Sequence, residues 1–193
     1  MISILLSSCK NKDKIDLETL SLNENVTDLF KDTKTFGELR EINTTLPVKY
    51  SNDINKFKFG NVNFNNTYEK EIVYSKVGLI LENKNSTQIS GIVLNIESTE
   101  ESIALLNYLK TKIGNPTILS PEPLINRSGE LLGYSAYTWN INNTKSMVLS
   151  QSYEYTDGKK TIASLLYLVN KNVKVSDANG ELVLDRLIRT YKK

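Results

Sequence analysis

The stretch from Leu131 to Val169 limits what this chain can become more than any other part of it. Three runs, Leu131 to Ile141, Ser146 to Tyr155 and Thr161 to Val169, are rich in aromatic and β-branched residues, which suit a pleated, half-buried surface. Asn142 to Lys145 links the first two, and Asp157-Gly158 links the last two. An Asp-Gly pair between such runs is a strong hairpin signal, because both residues take positive φ at small cost. That turn sets a register. Tyr153 falls opposite Ile162, Leu149 opposite Leu166 and Met147 opposite Leu168 on one face. Val148 pairs with Tyr167 and Ser150 with Leu165 on the other, and Tyr137 and Trp139 are expected to join this second face. Both faces are partly apolar, so each needs a cover.

One cover is written in residues 98–114. Ser98 can cap a helix with Glu101 three residues on, the capping-box spacing. Ile103, Leu106, Leu109 and Ile113, with Leu105, make an apolar stripe. Gly114 suits the position after the helix, and Pro116 forbids its continuation. The second face would be covered by the C-terminal segment, by the N-terminal region or by a partner. Leu184, Leu187, Ile188 and Tyr191 follow helical spacing, which favours a short strand, a turn and a terminal helix from about 181. Upstream, Ile72 to Leu81 and Ile89 to Ile96 read as a hairpin. Residues 54–64 alternate as a strand pair around Gly60-Asn61, or as one bulged strand. Between Leu17 and Pro47 the spacing is mixed: a short helix near 26–32 is allowed, with another turn over Thr35 to Ile42 ended by Pro47. Residues 117–130, with Pro121, Pro123 and Gly129, read as a loop. The class is therefore α+β, a mostly antiparallel sheet of hairpins and a meander with a helix (98–113) packed on it and a C-terminal helix.

The chain has 193 residues, 24 basic and 22 acidic side chains, one cysteine and no histidine. Its length suits one domain that folds without staples. The basic residues are scattered, so nucleic acid is not an expected partner. Without histidine there is no Ser-His-Asp or Cys-His catalysis and no His-ligated zinc. One cysteine excludes an intrachain disulfide and a CxxC motif. Asparagine makes up about a tenth of the chain. Its Asn-x-Ser/Thr triplets, such as Asn43 to Thr45, reflect that composition and are not read as glycosylation sites.

The chain opens MISILLSSCK: a mostly apolar run, Ile2 to Leu6, then Ser7, Ser8 and Cys9. Leu6-Ser7-Ser8-Cys9 resembles the lipobox of bacterial lipoproteins, in the form seen among the Bacteroidota. The resemblance covers about ten residues. It implies that residues 1–8 are the end of a signal peptide, that Cys9 carries diacylglycerol after cleavage, and that the protein is lipid-anchored in the cell envelope, at the outer rather than the inner membrane. Two or three acyl chains anchor stably where one binds only marginally. Residues 9–16 would then be the lipidated cysteine and tether, and 17–193 the domain. No other run approaches the roughly 20 apolar residues of a spanning helix.

Candidate sites are few. Tyr137, Trp139 and Tyr167 are a possible binding surface, since aromatics on a sheet face stack on sugars or anchor a protein partner. The plainer account makes them core and cross-strand pairs. Glu97, Glu154 and Asp157 lie near strand ends and could supply a carboxylate pair for histidine-free hydrolysis. The acidic pair Glu100/Glu101 is better explained by the helix dipole. Asp177, Asn179 and Gly180 lack calcium-loop spacing. Ser7 with Lys10 is the chain's one Ser-x-x-Lys, and it straddles the expected cleavage point. No catalytic residue, metal or cofactor is assigned. The leading expectation is a non-enzymatic lipoprotein whose domain binds an envelope protein or glycan. A small carboxylate hydrolase and an immunity-type protein that neutralises a toxin are the alternatives.

Overall fold

A computed structural model describes residues 14–65, 75–123, 133–156, 159–178 and 180–193. The chain begins with β1 (Ile15–Asp16), the single helical turn α1 (Val26–Leu29), β2 (Thr35–Arg40) and β3 (Pro47–Ser51). There follow the hairpin β4 (Phe57–Phe59) and β5 (Val62–Asn63), then β6 (Lys76–Leu81), β7 (Ile89–Ile96) and α2 (Thr99–Ile113). The last third holds β8 (Thr117–Ser120), β9 (Gly133–Asn140), β10 (Lys145–Thr156), β11 (Lys159–Asn170) and α3 (Val183–Tyr191).

Eight strands form one sheet in the order β2-β3-β6-β7-β11-β10-β9-β8, and every neighbouring pair in it is antiparallel. The β10–β11 register is the one the Asp-Gly turn dictates: Tyr153 pairs with Ile162, Leu149 with Leu166 and Val148 with Tyr167. The turn residues 157 and 158 themselves lie outside the described residues.

Residues on the two sides of this sheet enter two separate cores. Leu149, Leu166 and Leu168 join Leu105 and Leu109 of α2 and Phe57, Phe59 and Phe64 of the β4–β5 region. Val148, Tyr167 and Val169 join Val183 and Leu187 of α3. α2 is also tied to the sheet by polar groups. Thr99 Oγ1 accepts from Ile162 N at 3.0 Å, and Gln151 Nε2 donates to Ser102 O at 3.0 Å. The Trp139 indole N–H donates to Gly114 O at 2.9 Å. Ser98 caps the helix, its hydroxyl accepting from Glu101 N at 3.3 Å, and Gly114 closes it at φ 102°. The stripe differs in detail from its sequence reading: Leu105 and Leu109 are fully buried, whereas Ile103 is 43% exposed.

β1, β4 and β5 form a small second sheet, with β1 parallel to β4. The fold thus takes in Ile15 and Asp16, which sequence analysis assigns to the tether. Three further segments depart from their sequence reading. Thr35–Arg40 is a strand and not a helical turn, because it pairs with β3; Pro47 begins that partner strand, where a missing N–H is tolerated. Thr117–Ser120 is an edge strand on β9 rather than loop.

The third departure concerns the aromatics. Tyr137 pairs with Leu149 and Trp139 with Met147, so both face α2 and not the Val148–Tyr167 side. The Asn142 side chain sets this parity. It accepts from Thr144 N and Lys145 N at 2.8 Å each, closing a link in which Asn140 meets Ser146. A register one residue different would flip every side chain.

Candidate functional site

Cys9 lies outside the described residues. The three expected binding aromatics are interior and are split between the two cores. Tyr137 is 7% exposed, Trp139 4% and Tyr167 0%, the first two among the α2-side residues and the third on the α3 side. Trp139 fills core and satisfies the carbonyl at the end of α2. Of the expected carboxylates, Glu97 accepts from Asn95 Nδ2 at 2.8 Å and Glu154 is exposed on β10; Asp157 lies outside the described residues.

Beneath the loop after β2 sits a buried polar cluster. Tyr167 donates its phenol proton to Glu41 Oε1 at 2.7 Å, and Asn43 Nδ2 donates to the same phenol oxygen at 2.7 Å. Glu41 Oε2 accepts from Thr44 N at 2.6 Å. Burial, with the Glu41 charge beside them, pushes the phenols of Tyr50 and Tyr167 well above their ordinary value; the same causes bring Tyr191 up to about 12. Phenols held protonated in this way are donors and not bases. The cluster satisfies a buried carboxylate and shapes the loop; a fully connected network of this kind specifies structure. It offers no reactive group to a substrate.

The accessible site lies on the other side of the molecule. A groove of about 1090 Å³ runs between the β4–β5 hairpin and α2. Along its first wall, Val62 and Phe64 are buried while Asn61, Asn63 and Asn65 alternate outward to line it or its rim. From Val62 on this is the two-residue period of extended chain; Asn61 belongs to the turn that precedes it. The opposite wall is the exposed stripe Glu100, Ala104, Asn107 and Thr111, spaced so as to share one helix face. Ala104 keeps the middle of that wall shallow.

Two residues fix the geometry. Glu101 Oε1 accepts from Asn65 N at 2.8 Å and joins the walls. Tyr108 donates to Glu18 Oε2 at 2.7 Å. Burial, then the bond and charge of Glu18, raises its phenol to about 12. Gly60 makes room for Tyr108: it sits at φ 57°, and a Cβ there would lie 2.0 Å from the phenol oxygen. A second concavity, of about 580 Å³, is found at the β2 edge near Leu39, Arg40 and Lys84. It is about half the size of the first, and its lining includes the half-exposed Leu39.

No family model, curated protein or solved structure matches the chain. Among the described residues, no group of three or more His, Cys, Asp or Glu side chains is placed to hold a metal ion. No helix among them is long and apolar enough to cross a membrane.

The groove could not be found by motif. Its signal was the outward alternation of Asn61, Asn63 and Asn65, but the facing helix is distant in sequence.

Proposed function

We propose that this chain is an envelope lipoprotein, anchored through acylated Cys9, whose α+β domain is a non-enzymatic binding module that uses the groove along α2. The observation that carries this reading is the groove itself. Both sheet faces are filled by the chain's own elements, whereas the groove presents exposed amides and hydroxyls on a framework pinned by Glu101, Tyr108 and Gly60. Preorganised polar groups of this kind bind without large ordering costs.

The lipobox supports the anchor, and the path of the chain suits it. Cys9 and Lys14 are separated by five peptide units, at most about 18 Å of extended chain. β1 follows at once and pairs with β4, whose hairpin walls the groove. Lipid at Cys9 would therefore hold the groove close to the bilayer and raise its effective concentration for membrane-borne partners.

Fractionation of the native host tests the anchor. The wild-type chain should sediment with membranes and be released by detergent. Cys9→Ala should be lost from that fraction while remaining folded. Equal partitioning of the two forms would refute the tether.

A further inference from the structure

We infer that the ligand of the α2 groove is an uncharged glycan chain. This rests on the reading of the groove as the binding site and is independent of the lipid anchor. Three properties of the walls select the ligand: their hydrogen-bonding groups, their charge and their shape.

The hydrogen-bonding groups are mostly side-chain amides. Asn61, Asn63 and Asn65 stand at alternate positions on one wall, and Asn107 stands on the other. Each amide brings an acceptor oxygen and two donor hydrogens. Thr111 adds a hydroxyl on the helix wall. A ligand that satisfies this set must present donors and acceptors together at short, repeated spacing. Neighbouring sugar hydroxyls do so, because each is both.

The charge balance excludes anions. Glu100 and Glu101 are acidic and Lys112 is the one basic residue of the lining among the described residues. Glu101 is also engaged with the Asn65 N–H. Phosphate-bearing ligands, nucleic acids and anionic headgroups need clustered cations, and the described lining supplies one.

The shape excludes apolar ligands. From Glu100 to Thr111 the helix wall extends about 16 Å at 1.5 Å per residue, so the groove accepts an elongated ligand. Among the described lining residues the apolar side chains are Val62, Ala104 and Tyr108, and Val62 is buried. An amphipathic helix or an acyl chain needs a continuous apolar floor, which these side chains, set among Asn, Glu and Thr, do not make. An extended peptide is the nearest competitor in hydrogen-bonding chemistry. Peptide grooves add pockets for alternate side chains, and the alternating positions here are filled by asparagine.

The test uses the folded full chain on a glycan array of neutral and acidic oligosaccharides, with hits titrated by calorimetry and hexaglycine as the peptide probe. Neutral oligosaccharides should bind. The double variant Asn63→Ala/Asn107→Ala should weaken them at least about tenfold, roughly the loss of one or two good hydrogen bonds. Both residues are exposed, so the melting temperature should stay within about a degree or two of wild type. Binding restricted to acidic oligosaccharides, binding of hexaglycine alone, or no binding at all would overturn the inference. Neutral binding that survives the double variant would also overturn it, by showing a glycan binder whose site is elsewhere. None of these outcomes bears on membrane partitioning by Cys9→Ala, so the two proposals fail separately.

Discussion

The α2 face and the α3 face of the large sheet are closed by different chemistry. Against α2, the sheet buries Leu149, Leu166, Leu168, Tyr137 and Trp139 together with the phenylalanines of the small sheet. The polar ties between α2 and the large sheet come from neutral groups, an indole, a glutamine amide and a threonine hydroxyl; carboxylates enter between α2 and the N-terminal elements. Against α3, aliphatic packing is joined by the Glu41–Tyr167–Asn43 cluster and by ion pairs from Arg186 to Asp177 and Glu181. Apolar closure is broad and tolerant of position, and its loss scales with the cavity left behind. Polar closure is specific: in the Glu41–Tyr167 cluster each missing partner leaves a group that burial has stripped of water. The first face should therefore govern overall stability, and the second should govern placement of the loop after β2 and of α3.

The largest effect should come from Trp139→Ala. It removes a nearly buried ring and the donor to Gly114 O, at a cost of about 3–5 kcal/mol. Urea denaturation would show it, and a loss under about 1 kcal/mol would break the claim that this face dominates. Tyr167→Phe comes next. It keeps the ring but removes the donor to Glu41, and should cost about 1–3 kcal/mol. Combination with Asn43→Ala sharpens the point, since partners in one network should show a coupling of about 0.5–3 kcal/mol. Additivity would mean that the cluster is not a unit.

Gly60→Ala tests the groove side of the first face. Positive φ and the Tyr108 phenol both oppose a Cβ there, so about 1–2 kcal/mol should be lost. The ultraviolet signature of Tyr108 should shift as its bond to Glu18 opens.

The smallest effect is the part of the pH dependence that the α3 side contributes. Hydrogen bonds from Arg189 and Arg186 hold Glu181 below its ordinary 4.5, and Asp177 is held below 3.8, against desolvation, by Arg186 and Thr45. A carboxyl lowered in the fold stabilises it above its unfolded pKa and loses that contribution as pH falls through its folded value. Stability should thus drop on acidification below about pH 4.5. Arg186→Leu should make that limb shallower, leaving the part due to Glu24 and Asp53, and Trp139→Ala should leave its shape unchanged.

What could be read from sequence follows the range of the interactions. The β10–β11 register was legible because a tight turn and side-chain alternation act within a few residues. The caps of α2 were legible for the same reason. The face taken by Tyr137 and Trp139 was not, because it depends on how the Asn142 side chain closes the link that follows them, and one residue of slack reverses the sheet's sides. β2 was missed because its partner strand β3, and not its own pattern, makes it a strand. β8 was missed because four residues beside two prolines carry little signal. The groove was least legible. Asn61, Asn63 and Asn65 alternate visibly, yet only the fold brings them opposite Asn107.

The central claim, a lipid-anchored binding module, is tested most directly by the mass of the mature protein made from its full native gene in its own host. A chain beginning at Cys9 with a diacylglyceryl adduct on the thiol is the predicted result. An unmodified chain that retains the residues before Cys9 would contradict the anchor and leave the groove as the site of an untethered domain.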